Sequence, residues 1–435
     1  MSDQPSPARP ASVLDELEWR GLIAQATDET ALAVALAQPP MTVYAGFDPT
    51  ARSLHAGNLV PLLTLRRLQQ AGHRPIVIAG GATGLIGDPS GRSSERSMLT
   101  QDEVRANVER ISVQLRRFLD FTPGPAQALL VNNLDWIAPM SAIDFLRDVG
   151  KHFPVNGMLE KDSVRNRLEG GGLTFAEFSY QLLQAADYLE LFRRYGCRLQ
   201  IGGSDQWGNI TAGLDYIRRA TGQSAHGLTV PLVTNASGEK FGKSTGGGRV
   251  WLDPELTSPY AFFQFFLNTD DRDVSTYLRL FTDLTQEEIA ELETAVREKP
   301  HERAAQRRLA SDFTALLHGP EEVAKVVAAS GALFGRGALE ELAANTLAAA
   351  VAEIPAIEIS RAQLEAGVTI VELAVSAGLC SSRSDARRQI DQGGLYVNNN
   401  KVLTEDARLS PDQLLAGSTA LLRRGRRQLA AVRVV

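Results

Sequence analysis

Residues 42–71, TVYAGFDPTARSLHAGNLVPLLTLRRLQQA, begin with a β-favouring run and pass through a polar turn. They close on a stretch whose Leu59, Leu62, Leu63, Leu65 and Leu68 recur at helical spacing. That is one strand–helix unit. Further β-favouring runs at 75–79, 128–131, 198–201 and 228–233 alternate with longer helical patterns, the signature of a parallel sheet covered by helices. Such sheets bind ligands beyond the carboxyl ends of their strands, and polar residues follow each run: Asp48, then Thr83 and Asp88, then Asn133, then residues 202–206.

The expected fold is therefore α/β, a doubly wound, Rossmann-like catalytic domain over 13–252, interrupted by an arginine-rich helical insertion at about 101–172. Beyond it the periodicity is almost wholly helical, which predicts an all-helical domain over 253–353. A segment with Pro355 and little periodicity, 354–367, is the expected linker, and 368–435 is long enough for one small α+β module. The polar, proline-rich residues 1–12 are expected to be a disordered tail. No apolar run approaches the roughly 20 residues that span a bilayer, so a cytoplasmic protein without a membrane partner is expected. Cys197 and Cys380 are far apart and lack histidine neighbours, which supports neither a disulfide nor zinc. The net charge of −6 hides an asymmetry: 368–435 carries ten basic against six acidic residues, so the tail is the basic part.

Two segments carry the chemistry. In Ser53-Leu54-His55-Ala56-Gly57-Asn58-Leu59, His55 and Asn58 stand three apart at the start of a helix, where backbone N–H groups favour phosphate. In Lys240-Phe241-Gly242-Lys243-Ser244, two ammonium groups flank a glycine just before Gly246-Gly247-Gly248. Alone, the histidine is a cap and the lysines a solvated loop. Together they can grip a nucleoside triphosphate from two sides, as a nucleotidyl-transfer site requires. Tyr180, Gln184 and Asp187, spaced four and three apart, share one helix face and can line one pocket.

With these residues in hand, the chain resembles the bacterial tyrosyl-tRNA synthetases of class I. The two segments look like the HIGH and KMSKS signatures in their tyrosyl variants. Residues 44–50 (YAGFDPT), 84–91 (GLIGDPSG), 178–187 (FSYQLLQAAD) and 202–209 (GGSDQWGN) match in family order. The resemblance implies attack of an amino-acid carboxylate on the α-phosphorus of ATP, then transfer of the aminoacyl group to tRNA(Tyr). It assigns His55, Asn58, Thr50, Lys240 and Lys243 to the developing charge, with Arg92 and Arg96 as helpers. Gly46, Asp48, Gly57, Gly203 and Asp205 would hold ATP beside His55 and the lysines. Tyr44 and Asp187 would read the phenolic hydroxyl, and Asp88, Tyr180, Gln184 and Gln206 the rest of tyrosine. Mg2+ is implied with the triphosphate, without a protein cage. The chain departs from the pattern at Asn58, where the family has a second histidine, at Phe241-Gly242, where it has Met-Ser, and at Arg92, where a lysine is usual.

The tail resembles a small RNA-binding module, which implies that Arg383, Arg387, Arg388 and Lys401 meet phosphates of the tRNA. The helical domain would face the anticodon end, and a homodimer through the insertion is implied. Rival readings are a tryptophan enzyme or small nucleotidyltransferase of the same architecture, and an RNA-binding protein without catalysis. Tyr44 with Asp187 disfavours tryptophan, and the basic tail disfavours a metabolite-only enzyme.

Overall fold

The run Pro75-Ile76-Val77-Ile78-Ala79 offers water no polar side chain, and only a strand covered on both faces uses such a sequence well. In the computed structural model, which describes residues 12–90, 98–170, 172–242, 248–425 and 428–435, it lies inside a six-stranded sheet. The strands are β1 (Gln25–Ala26), β2 (Thr42–Phe47), β3 (Arg74–Ala79), β4 (Leu129–Asn132), β5 (Cys197–Gly203) and β6 (His226–Val230), in the spatial order β1-β6-β5-β2-β3-β4. All neighbours run parallel except β1, which pairs antiparallel with β6 at the edge. The expected doubly wound class is what forms. The winding reverses between β2 and β5, and at such a switch point the loops diverge and leave a crevice.

Helix Leu59–Gln70 carries the chain from β2 to β3, and its Leu59, Leu62, Leu63, Leu65 and Leu68 are all buried. The long helix Phe175–Tyr195 starts on a reciprocal Thr174–Glu177 capping box and stops at Gly196 in the left-handed conformation. Within the expected insertion, helix Gln101–Leu115 is followed by β4 and then by short helical pieces up to Asp162–Gly170.

The chain forms two compact units, Met1–Leu256 with Asn268–Leu309, and Thr257–Leu267 with Ala310–Val435. The expected boundary at 252 therefore lies elsewhere, because helices Asp271–Phe281 and Gln286–Glu298 belong with the sheet. The cause is polar as well as apolar. Buried Arg20 donates to the carbonyls of Arg279 (3.0 Å), Thr282 (3.0 Å) and Leu284 (2.9 Å), and Arg67 donates to Thr282 (2.8 Å). Arg20→Ala strands two of these carbonyls, since only Thr282 keeps a donor. A loss of about 2–4 kcal/mol in urea-unfolding stability is expected.

The second unit packs Phe262, Phe266 and Phe313 edge to face. It also holds a five-stranded sheet of β7 (Ala356–Ile359), β8 (Leu395–Val397), β9 (Asn400–Lys401), β10 (Thr419–Arg424) and β11 (Gln428–Val434), in the order β7-β11-β10-β8-β9. Helices Ile370–Ser376 and Arg383–Asp391 contribute to its core through Leu373 and Ile390. Residues 354–367, expected as a linker, are folded: β7 pairs in parallel with β11, and Leu364 of helix Arg361–Glu365 is buried in the same core. A four-residue edge strand whose partner lies some seventy positions on leaves little local signal. Of the expected tail 1–12, residues 1–11 lie outside the described residues, while Ser12 caps helix Val13–Trp19. No helix among the described residues is long and apolar enough to cross a membrane.

Candidate active site

The carboxyl ends of β2, β3 and β5 open on a cavity of about 350 Å³. Tyr44 and Gly46 reach it from β2 and Asp48 follows that strand, Thr83 and Asp88 follow β3, Gly203 ends β5, and Asp205 and Gln206 follow it. Thr50, His55, Gly57, Asn58, Tyr180, Gln184, Asp187 and Lys240 line it too. The described residues assigned to tyrosine and ATP thus line one cavity. Lys243, Arg92 and Arg96 lie outside the described residues.

The His55 turn is a 3-10 turn, Ala56–Asn58, running into helix Leu59–Gln70. The Oδ1 of Asn58 accepts from the His55 N–H (3.0 Å), and the Nδ1 of His55 accepts from the Gly57 N–H (3.0 Å). A Cβ on Gly57 would stand 2.9 Å from the Cε1 of His55, so only glycine lets the ring fold back over the backbone. One backbone donor expected to be open for phosphate is thus taken by the imidazole. Because Nδ1 accepts, the ring proton sits on Nε2. Burial, and then the charge of Arg249, lower the His55 pKa to about 4, so the imidazole is neutral at pH 7. The unfolded chain therefore binds a proton that the fold rejects, and stability present above pH 6.5 is lost as pH falls toward 4. His55→Gln should flatten that part of the pH dependence of the urea midpoint.

Lys240 rides on a hairpin. The Asn235 N–H donates to Glu239 O and the Phe241 N–H to Val233 O, each at 2.9 Å. Lys240 lines the cavity, and the ring of Phe241 beside it packs on Phe281 (4.8 Å) and Tyr277 (4.9 Å). Asp273, on the same helix, accepts from the Ala236 N–H (2.9 Å) and holds the hairpin tip. Gly242, at φ +87°, then brings the chain against the His55 turn, where a Cβ would lie 3.3 Å from both Ala56 Cβ and Gly57 N. Three backbone bonds complete the junction: Val250 N to Gly242 O (2.8 Å), Ala56 N to Val250 O (2.8 Å) and Leu252 N to Leu54 O (2.9 Å). Two segments almost two hundred residues apart are stitched together at one rim of the cavity.

Asp187, which also lines the cavity, is buried and both its oxygens are engaged. The Nδ2 of Asn133 donates to Oδ2 (2.9 Å) and the Nε1 of Trp136 to Oδ1 (2.8 Å). Burial nevertheless raises its pKa to about 7. The Oη of Tyr44 is buried without a hydrogen-bond partner, and burial followed by the Asp187 charge pushes its ionisation well up. A relay continues from Asn133, whose Nδ2 also donates to Thr83 Oγ1 (3.1 Å). Thr83 donates to Asp48 Oδ1 (2.7 Å), and Tyr180 Oη donates to Asp48 Oδ2 (2.8 Å). Nearby, Gln206 donates to Asp88 Oδ2 (2.6 Å), and the Nδ2 of Asn209 donates to Gln184 (3.0 Å) and Gln206 (3.1 Å). Asp205 is raised by burial and by Asp88, with Lys240 pulling the other way.

Sequence reasoning missed Trp136, Asn209 and Arg249, and gave Asn133 and Thr83 no role. For the last two, position at a strand end was the available signal. Trp207 begins helix Trp207–Thr221. Among the described residues, no three His, Cys, Asp or Glu side chains cluster as a metal site.

In the second unit, Arg383, Arg387 and Arg388 do share helix Arg383–Asp391, each exposed. Each also pairs with an acid: Arg383 with Glu372 (3.0 Å), Arg387 with Glu405 (3.1 Å) and Arg388 with Asp385 (2.7 Å). Lys401 lies on β9, just after the Asn398-Asn399 turn, where both residues have positive φ as a two-residue hairpin loop demands.

Comparison with known proteins gives a consistent picture. Residues 36–335 match the family model described as "tRNA synthetases class I (W and Y)", and residues 346–432 match "Tyrosine--tRNA ligase SYY-like C-terminal domain". A tyrosine–tRNA ligase of Nocardia farcinica is 57% identical over 421 residues, covering 97% of this chain and 98% of the relative. That of Mycobacterium tuberculosis is 57% identical over 420 residues, with 97% and 98% covered. Among solved structures, a C-terminally truncated mitochondrial tyrosyl-tRNA synthetase of Aspergillus nidulans superposes with TM-score 0.67 at 32% identity, covering 73% of this chain and 92% of that one.

Proposed function

The chain belongs to the tyrosyl-tRNA synthetases of class I, and from that membership we propose that the cavity joins tyrosine to ATP through the residues gathered around it. The activity is that of a tyrosine–tRNA ligase, which uses ATP, tyrosine and its tRNA as substrates. A tyrosine carboxylate oxygen forms a bond to the α-phosphorus as the bond to the β-phosphate oxygen breaks, releasing pyrophosphate and leaving tyrosyl-adenylate. A hydroxyl at the 3′ end of the tRNA then attacks the acyl carbon, and AMP departs.

The carboxylate is already a nucleophile at pH 7, so the first step needs alignment and charge stabilisation rather than a base. His55 through Nε2–H, Asn58 through its amide N–H, Thr50 and Lys240 receive the charge arriving on pyrophosphate, with Lys243, Arg92 and Arg96 assisting. Gly46, Asp48, Gly57, Gly203 and Asp205 hold the nucleotide. Asp88, Tyr180, Gln184 and Gln206 take the tyrosine ammonium and its surroundings. Tyr44 and Asp187 take the phenolic hydroxyl. The observation that carries this assignment is the buried, unpartnered Oη of Tyr44 under the influence of the Asp187 carboxylate. A ligand hydroxyl placed between them would satisfy both.

Mg2+ would travel with the triphosphate and neutralise part of its charge. Arg383, Arg387, Arg388 and Lys401 would meet tRNA phosphates, with the helical residues 310–353 of the second unit toward the anticodon end, in the cytoplasm. Exposed Ile143, Leu146 and Val155 on the insertion, with Phe175 just after it, supply apolar surface for a homodimer. Exchange of labelled pyrophosphate into ATP, run with each of the twenty amino acids, tests the substrate assignment. Tyrosine alone should support it; exchange with tryptophan and not tyrosine overturns the reading.

A further inference from the structure

The His55 turn is short of charge. Its histidine is neutral and its Asn58 replaces a residue that could have been cationic, so the turn supplies two hydrogen-bond donors and no net charge. Pyrophosphate departing from ATP carries several negative charges, and preorganised cations are the usual means of stabilising such a leaving group. A further cation stands on the same rim. Arg249 lines the cavity, its guanidinium lies 5.7 Å from the Trp251 ring centroid, and the Trp251 ring itself packs against His55 at 6.1 Å. Its backbone position is fixed, because neighbouring Val250 bonds to Gly242 on one side and to Ala56 on the other. Arg249 thus rises from the seam that joins the lysine hairpin to the His55 turn, next to where a leaving group held by both would sit.

Resting on the tyrosyl-transfer reading, we infer that Arg249 is a catalytic residue of the adenylation step, whose guanidinium binds the β- and γ-phosphates of ATP and then the departing pyrophosphate. No bond is made or broken at the guanidinium; it supplies two or more charge-assisted N–H donors to phosphate oxygens in the geometry that arginine presents. Trp251 supports it through a cation–π contact at 5.7 Å, suited to an exposed side chain that must stay near the cavity until ATP arrives.

The alternative is an exposed arginine resting on tryptophan, and kinetics separate the two. Wild-type protein must first show tyrosine-dependent exchange, which tests the underlying reading on its own. In that background, Arg249→Gln should lower kcat for exchange on the order of 10²-fold. It should also raise the KM for pyrophosphate in the reverse reaction of tyrosyl-adenylate, while equilibrium dialysis finds tyrosine binding unchanged. Arg249→Lys should recover part of the rate, since charge is kept and the two-pronged geometry is not. The His55 ring, followed by NMR in Arg249→Gln, should titrate at higher pH once the neighbouring charge is gone. Exchange by Arg249→Gln at the wild-type rate and pyrophosphate KM overturns the proposal. So does a fall in tyrosine binding as large as the fall in exchange, because that is the mark of a damaged fold.

Discussion

Asp187→Ala lowers kcat/KM for tyrosine in pyrophosphate exchange by about 10³-fold, the expected loss when a charge-assisted bond to a buried hydroxyl goes and the hydroxyl is left unsatisfied. Phenylalanine, which has no hydroxyl to strand, should lose far less, so the variant discriminates poorly between the two. Stability should fall too, because Trp136 Nε1 loses its acceptor. Asp187→Asn is no rescue: both carboxylate oxygens accept, from Asn133 and from Trp136, and an amide must turn its NH2 toward one of those donors. The free protein already bears a cost here. Burial raises the carboxyl to about 7, so the fold favours the protonated group, and the stability gained from it at low pH is lost as pH rises through 7. On the proposed assignment, a tyrosine hydroxyl donating to the carboxylate would offset that cost, tying substrate selection to a charge that burial disfavours.

Lys240→Ala is the second large effect. It should lower kcat for exchange by about 10²–10³-fold, the typical consequence of removing one preorganised donor from a developing charge. Tyrosine affinity should hold, since the bonds that hold Asp187, from Asn133 and Trp136, do not involve the lysine hairpin. Rapid-quench measurement of adenylate formation, beside equilibrium dialysis of tyrosine, separates the two quantities. An equal loss in both would mean that Lys240 supports the cavity wall and not the leaving group.

Much of this was legible in residues 42–71 and the runs that follow, because a parallel sheet writes itself as apolar strands with polar residues at their ends. The triad Tyr180, Gln184 and Asp187 was legible for a similar reason: helical spacing puts them on one face, and one helix presents them together. What resisted reading was contact between distant segments. Nothing local to Trp136 says that its indole nitrogen meets a carboxylate fifty-one positions on. Nothing local to Arg249 says that it stands beside His55. Helix Asp271–Phe281 reads as part of a separate helical domain, yet Asp273, Tyr277 and Phe281 back the lysine hairpin and Arg20 secures its far end. The Phe241 that departs from the family signature has its explanation in that backing, as an aromatic fitted between Tyr277 and Phe281. Strand β7 escaped notice because its pattern is only four residues long and a proline precedes it.

The most direct test is a crystal structure with a non-hydrolysable analogue of tyrosyl-adenylate. The phenolic oxygen should lie within hydrogen-bonding distance of both Tyr44 Oη and an Asp187 oxygen, about 2.6–3.0 Å, with the phosphate facing the rim where His55 and Lys240 meet. A phenol ring seated away from Asp187, or a phosphate turned from that rim, would contradict the account.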